Sequence, residues 1–293
     1  MKFLQDEFIA SLDKFSLRAK LIVEGFMIGL HRSPYHGFSV EFSDHRQYNP
    51  GDSLRNLDWK VFAKSNRYYI KRYEEETNLK SYILLDHSRS MSFSSQKINK
   101  LEYAKAFASA LSYLMINQQD AVSLLSFTDK TTNYLPPRAN RKYLDIIFQN
   151  IYNLEASDQT NTASVLHSLA ERIKKRGLII LISDLIDDPD KILSGLKHFR
   201  HSKHEVIVFH IEDQQERDFD YKHETEFIDA ETGEKITVSP WQIRKKYRQK
   251  YAENREYIKN KCHDMRIEYN LINTNTPFKD NLLQYMIKRA KIM

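Results

Sequence analysis

The chain has 293 residues, of which 41% are hydrophobic and 29% are charged, and this composition is typical of a globular protein with one large or two modest domains. Seven glycines and seven prolines leave little room for a low-complexity linker, and a single cysteine, Cys262, excludes an internal disulfide and favours a reducing compartment. The net charge of +6 permits an acidic partner or nucleic acid but selects neither.

The beginning of the chain predicts a cytoplasmic protein. Asp6 and Glu7 stand where a secretory signal peptide has its apolar core. The longest apolar run, from Leu178 to Ile182, is far shorter than the ~20 residues that cross a bilayer. We therefore expect no membrane span.

Residues 1–79 are predicted to form a smaller α+β segment. Apolar residues recur at helical spacing from Asp6 to Ile28. Alternating residues from Phe38 to Phe42 and the run from Tyr68 to Tyr73 predict two strands, separated by a turn at Asn49–Asp52. Five charged residues between them are expected to form an ion-pair network: Arg46, Asp52, Arg55, Asp58 and Arg72.

Residues 80–293 alternate between buried strands and amphipathic helices, which predicts an α/β domain with a mostly parallel, Rossmann-like sheet and helices on both faces. Thr132 to Leu135 is a candidate edge strand ended by Pro136 and Pro137. A hairpin insertion is expected near residues 224–239, followed by a long basic helix from Pro240. The apolar runs that predict the buried strands are Tyr82–Leu85, Ala121–Phe127, Leu178–Ile182 and Glu205–Ile211.

Acidic and hydroxyl side chains follow two of these strands. Asp86, Ser88 and Ser90 come directly after the first strand, and Asp184 follows the strand at Leu178–Ile182. Ligands of open α/β sheets bind at the carboxyl ends of the strands. Carboxylate and hydroxyl oxygens suit a hard cation such as Mg²⁺ or Mn²⁺ rather than zinc or copper. The structural alternative is that Asp86 and Ser88 only cap a helix.

With these residues assembled, the chain resembles the von Willebrand factor A superfamily. The resemblance covers roughly residues 80 to 292. The parts of that family's metal-ion-dependent adhesion site match Asp86-x-Ser88-x-Ser90, Thr160 and Asp184. The sequence departs from the usual pattern in two places: Asp158-Gln159-Thr160 stands where Gly-Gly-Thr is common, and Ser183-Asp184-Leu185 stands where Thr-Asp-Gly is more usual.

The amino-terminal segment narrows the resemblance to the bacterial "domain of unknown function 58" family, whose members are companions of MoxR-type AAA ATPases. The matching residues are Arg46-x-Tyr48-x-Pro50-Gly51-Asp52-x-x-Arg55, Asp58-Trp59 and Ala63, and, near the other end, Thr276-Pro277-Phe278 and Arg289. Lys64 stands where that family often has Arg.

The resemblance implies a non-enzymatic adaptor that uses one Mg²⁺ or Mn²⁺ ion to bind protein. Ser88, Ser90 and Thr160 would ligate the ion directly, and Asp86 and Asp184 would act through water or hydrogen bonds. A Glu or Asp from an acidic client loop would take the exchangeable position. The implied protein partner is a MoxR-type AAA ATPase, in maturation or assembly of other proteins.

Two other functions stay open at this point. A metal-dependent hydrolase or phosphatase is disfavoured because Ser88 and Ser90 lack the glycines of a nucleophile elbow, and Asp86 lacks the second acid of an Asp-x-Asp phosphatase. Neither a Walker A motif nor Gly-x-Gly-x-x-Gly is present. His87 is expected to face solvent. The basic helix at residues 244–261 mixes Lys and Arg with tyrosines, which permits nucleic-acid binding unless the tyrosines pack inward.

Overall fold

A computed structural model of the chain describes residues 39–48, 57–65, 67–76, 80–96, 98–157, 162–228, 235–278, 280–282 and 284–285. These residues belong to two compact units that divide at residue 79, and each unit is described by itself. The predicted helix from Asp6 to Ile28 and the predicted turn at Asn49–Asp52 lie outside the described residues.

The smaller unit is built on an antiparallel strand pair, as the alternating pattern predicts. Strand β1 (Ser39–Gln47) pairs with β2 (Tyr69–Glu76), and helix α1 (Trp59–Ser65) lies between them in sequence. The Asp58 Oδ1 atom accepts the N–H groups of Lys60 and Val61 at 2.9 and 3.2 Å, so Asp58 caps α1. Asp58 is the one member of the predicted ion-pair network whose side chain the structure describes, and the network stays a prediction.

The larger unit contains a six-stranded sheet in the order β10-β7-β6-β3-β4-β5 and a separate antiparallel hairpin, β8-β9. Neighbouring strands of the sheet are parallel except β4 and β5. The strands are β3 (Lys80–Asp86), β4 (Ala121–Phe127), β5 (Thr131–Arg138), β6 (Leu178–Ser183), β7 (Glu205–Glu212), β8 (Thr225–Ile228), β9 (Lys235–Val238) and β10 (Glu268–Asn273).

Helices cover both faces of the sheet, which confirms the predicted α/β fold. They are α2 (Lys100–Asn117), α3 (Arg141–Tyr152), α4 (Thr162–Arg172), α5 (Pro189–His201), α6 (Gln214–Asp218) and α7 (Pro240–Asp264). Alternate residues of β7 show the two faces: Val208 joins the core beneath α4, α5 and α7, while the Phe209 ring lies 4.7 Å from Phe107 of α2. Burial of the strands on both faces explains why their sequences are nearly continuous apolar runs.

The edge strand differs from the prediction at its end. Strand β5 continues through Pro136 and Pro137 to Arg138, which pairs with Val122 across an irregularity in the register. A proline lacks the N–H group that a central strand needs on both sides. Because β5 has a neighbour on one side only, it tolerates both prolines.

The described residues include no helix that is both long enough and apolar enough to cross a membrane. The longest described helix, α7, has 25 residues, of which only Pro240, Ile258 and Cys262 are buried. Most of its exposed residues are polar or charged, but Trp241 and Tyr257 are exposed as well.

The close approach of β3 and the loop before β6 makes Gly177 a test of this packing. A Cβ atom at Gly177 would lie 2.2 Å from the carbonyl oxygen of Lys80, which belongs to backbone and cannot rotate away. We expect Gly177→Ala to lower the free energy of unfolding by about 1–3 kcal/mol, as overpacking does, in urea titrations followed by circular dichroism. Lys175→Ala, in the exposed part of the same loop, is the control and should change it by less than about 0.5 kcal/mol. Equal stabilities of the two variants would contradict the packing described.

Candidate functional site

The two strands that precede the predicted site residues are neighbours in the sheet. Strand β3 runs parallel to β6, and Leu85 pairs with Ile182. Asp86 and Asp184 therefore lie at the same edge, where both residues are buried. The prediction that the sheet brings these two carboxylates to one rim is correct.

Hydrogen bonds hold the Asp86 carboxylate from two sides. Its Oδ1 atom accepts the N–H of Ser88 at 2.9 Å, and its Oδ2 atom accepts the hydroxyl of Ser183 at 2.6 Å. Burial, and then the neighbouring charge of Asp184, raises the pKa of Asp86 to about 7. A positive charge near this pair of carboxylates would lower the pKa of Asp86 again, because it would offset both the burial and the charge of Asp184.

The hydroxyls of Ser88 and Ser90 converge between the two carboxylates. Their Oγ atoms are 3.2 Å apart. The Ser88 side chain partly offsets the rise in the pKa of Asp86, and the Ser90 side chain helps to lower the pKa of Asp184. A short 3-10 helix, Arg89–Ser92, turns the chain so that both hydroxyls face the same space. The geometry thus brings together four of the five predicted ligands.

Thr160, the fifth predicted ligand, lies outside the described residues. The described residues on each side of it both border the rim. Ser157 donates its N–H to the carbonyl of His87 at 3.1 Å. Ala163, at the start of α4, donates its N–H to Asp187 at 3.5 Å. The role of Thr160 remains a prediction.

A buried lysine, which the sequence analysis missed, completes the cluster. The Lys100 Nζ atom donates to Asp184 Oδ2 at 2.8 Å and to the two carboxylate oxygens of Glu216 at 2.7 and 3.0 Å. Burial raises the pKa of Asp184, but the Lys100 ammonium and its hydrogen bond outweigh burial and hold that pKa below its usual value. Lys100 opens α2 after the polar stretch Ser94–Asn99, a context typical of an exposed residue, so the local sequence gave no signal of its burial.

Leu185 keeps the backbone geometry that a glycine would adopt after Asp184. Its φ angle of 53° lies in the left-handed region, which costs a non-glycine residue roughly 1–2 kcal/mol. The Leu185 side chain is buried in the core, and its N–H is bonded to the Ser183 hydroxyl at 3.0 Å. Burying a leucine side chain contributes about 1.5–3 kcal/mol, which offsets this strain. The departure at position 185 therefore leaves the turn in place.

The donor set fits a hard divalent cation. Adjacent ligands of an octahedral Mg²⁺ ion lie about 3 Å apart when each is 2.0–2.1 Å from the metal, close to the 3.2 Å between Ser88 Oγ and Ser90 Oγ. Among the described residues, no three His, Cys, Asp or Glu side chains are grouped as a metal site. The hydroxyls of Ser88 and Ser90 are hard oxygen donors, whereas zinc sites in proteins use mainly Cys and His.

The expectation that His87 faces solvent is wrong. His87 is buried, its Nδ1 lies 2.8 Å from the Glu155 carbonyl oxygen, and its Nε2 lies 2.8 Å from Thr132 Oγ1. Both ring nitrogens are thus engaged in joining loops. Among the described hydrogen bonds, the Ser88 hydroxyl pairs with that of Ser90 rather than with a histidine base.

The basic helix α7 uses much of its polar surface for internal contacts. Arg244 donates to the carbonyls of Phe219 and Tyr221 at 3.0 and 2.8 Å. The ring of Tyr247 lies 4.3 Å from that of Phe219, and 6.0 Å from that of Tyr251. Tyr247 and Tyr251 are thus half-buried in these contacts, whereas Tyr257, the third tyrosine of the nucleic-acid hypothesis, is 40% exposed. The internal contacts therefore take up part of the aromatic surface that this hypothesis requires.

Three uncharacterized mycobacterial proteins are similar to this chain. Uncharacterized protein Rv1480 of Mycobacterium tuberculosis and uncharacterized protein Mb1516 of Mycobacterium bovis are each 23% identical over 227 residues. Each alignment covers 76% of this chain and 71% of the relative.

Solved structures with a similar arrangement include the conserved hypothetical protein BatB from Bacteroides thetaiotaomicron, with 14% identity, a TM-score of 0.46 and coverage of 73% of this chain and 100% of BatB. An aerotolerance-related membrane protein from Bacteroides fragilis aligns with 15% identity and a TM-score of 0.48, over 73% of this chain and all of that one. The SpRpn10 VWA domain aligns with 13% identity and a TM-score of 0.40, over 70% and 94%.

The family assignment does not depend on these distant structures. A family model described as "Protein of unknown function DUF58" matches residues 44–257, which is more than half of the chain and includes Asp86, Ser88, Ser90 and Asp184. The chain therefore belongs to the DUF58 family.

Proposed function

We propose that this protein is a non-enzymatic adaptor that binds a protein partner through one Mg²⁺ or Mn²⁺ ion at the sheet edge. The observation that supports the proposal most directly is the pair of hydroxyls of Ser88 and Ser90, whose Oγ atoms are 3.2 Å apart at the sheet edge that carries the buried carboxylates of Asp86 and Asp184. The residues that would hold the ion are Ser88, Ser90 and Thr160, with Asp86 and Asp184 around them.

The chemistry of this donor set suits recognition. Neutral hydroxyl ligands neutralise little of the charge of a divalent ion, so the bound ion would attract a further anionic oxygen. A glutamate or aspartate from a partner supplies such an oxygen. Asp86 and Asp184 would orient the hydroxyls by accepting their hydrogen bonds, as outer-shell groups do in metal sites. The proposed ligand is therefore an acidic loop of a client protein.

The proposed companion is a MoxR-type AAA ATPase. The support is membership of the DUF58 family, together with the resemblance of residues 46–63 to companions of these ATPases. An adaptor of this kind would present a client to the ATPase during maturation or assembly of other proteins.

Metal titration tests the ion site directly. We expect isothermal titration calorimetry of the metal-stripped protein to show about one Mn²⁺ ion bound per chain, and Asp86→Asn to weaken that binding by about 10- to 100-fold, as loss of an outer-shell partner does. Asp129→Asn is the matched control, because Asp129 is an exposed acid in the turn between β4 and β5. Circular dichroism checks that each variant is folded. Equal Mn²⁺ binding by both variants would exclude the proposed site.

Capture of the ATPase tests the adaptor role separately. The tagged protein, mixed with the MoxR-type ATPase of the same organism and an excess of an acidic client peptide, should retain both in Mg²⁺. We expect EDTA and Asp86→Asn to release the peptide, because the ion would bridge to its carboxylate. Retention of the peptide in EDTA by the wild-type protein would contradict metal-dependent recognition, and failure to retain the ATPase would contradict the partnership alone.

A further inference from the structure

Lys100 is the least expected residue of the site, because its charge is buried completely. Its side chain has 0% of its surface exposed, and its partners Asp184 and Glu216 have 1% and 17%. An ammonium group has three N–H donors, and here all three point to carboxylate oxygens at 2.8, 2.7 and 3.0 Å. Such complete pairing of a buried lysine marks a specific electrostatic role.

The position of Lys100 is fixed from several directions. Its N–H donates to the Phe93 carbonyl at 3.2 Å, and its ammonium lies 5.8 Å from the centre of the Phe93 ring. Glu216 is held in turn by the capping box that begins α6 with Asp213. Asp213 also accepts the N–H of Ser95 at 3.0 Å. The ammonium therefore cannot move away from Asp184 without disturbing three loops.

The pairing with Lys100 affects whether Asp184 can ligate the ion directly. Without a cation beside it, the charged Asp184 carboxylate would be a strong local ligand for a divalent ion. Here its Oδ2 atom accepts from the Lys100 ammonium at 2.8 Å and its Oδ1 atom accepts the N–H of Ile186 at 3.3 Å, so a divalent ion that approached Asp184 would meet the positive charge of Lys100. Asp184 is thus held as an outer partner.

We propose that Lys100 is a positioning residue that keeps Asp184 off the metal and so reserves a coordination position for a partner carboxylate. This inference rests on the proposed function, because it assumes a divalent ion at Ser88 and Ser90. The ammonium also lowers the negative charge of the cluster: the carboxylates of Asp86, Asp184 and Glu216 together with one ammonium have a formal charge of −2 when all are ionised. With Asp184 paired to Lys100, the carboxylate that ligates the ion directly comes from the partner.

The test measures two affinities that this role moves in opposite directions. Lys100→Met removes the ammonium at similar length, so Asp184 becomes free to ligate the ion. We expect Mn²⁺ to bind about 10- to 100-fold more tightly in calorimetry. The affinity of the Mn²⁺-loaded protein for a blocked Gly-Glu-Gly tripeptide should fall by a similar factor, measured as Mn²⁺-induced broadening of the glutamate proton signals. A blocked Gly-Gln-Gly tripeptide, which lacks the carboxylate, is the control for binding that does not depend on that group.

A second variant covers the case in which Lys100→Met does not fold. Lys100→Met combined with Glu216→Gln removes one charge of each sign, so the cluster keeps its formal charge while Asp184 still loses the ammonium. Glu216→Gln alone keeps Lys100 and the pairing with Asp184. We expect the double variant to bind Mn²⁺ more tightly and the tripeptide more weakly than wild type, and Glu216→Gln alone to bind Mn²⁺ more weakly than wild type because its cluster is less negative.

The outcomes separate this inference from the proposed function. Absence of Mn²⁺ binding by the wild type would overturn both. If the wild type binds Mn²⁺, but the variants change neither the Mn²⁺ affinity nor the tripeptide affinity, or change both in the same direction, the role of Lys100 alone is overturned. A purely structural lysine lowers both affinities or neither. If the variants that lack Lys100 are unfolded, unchanged Mn²⁺ binding by folded Glu216→Gln overturns the charge balance on which the role depends.

Discussion

Two carboxylates buried side by side at the end of β3 and β6 are the constraint around which this molecule is arranged. A buried carboxylate costs several kcal/mol unless it is paired or hydrogen-bonded. Asp86 is stabilised by the Ser88 N–H and the Ser183 hydroxyl, whereas Asp184 is stabilised by the Lys100 ammonium. The pKa of Asp86 is therefore raised and that of Asp184 is lowered. Asp184 is paired with an ammonium group, whereas the groups that hold Asp86 are neutral.

The sheet order is what makes this pairing possible. Strands β3, β6 and β7 are consecutive neighbours and parallel, so the loops after all three meet at one edge. These loops carry Asp86 and the serines, then Asp184, then Asp213 and Glu216. Lys100 reaches across them from the start of α2. Because the Lys100 ammonium pairs with Asp184 from one loop and with Glu216 from another, moving either loop would leave a buried charge unpaired.

The sequence predicts this architecture well where the signal is local. Apolar runs at residues 121–127 and 178–182 become strands with nearly the predicted ends, and the change from apolar to acidic residues correctly marks the rim at Asp86 and Asp184. The pairing of Lys100 with Asp184 spans 84 residues, and nothing in either segment encodes it. The predictions for His87 and for the end of β5 are wrong for a related reason. The environment of these residues is set by a neighbouring strand or loop and not by their own local sequence.

Lys100 also bears on what a metal would contribute to the protein. Because the ammonium is part of the chain, the charge of Asp184 is compensated before any ion binds. The fold therefore does not need a metal at Asp184 in the way that a zinc finger needs zinc. An ion at Ser88 and Ser90 would act as a ligand of the native state and add stability only in proportion to RT ln(1 + [L]/Kd). Such a site suits reversible binding of an ion, because the loops around it have the same conformation before and after the ion binds.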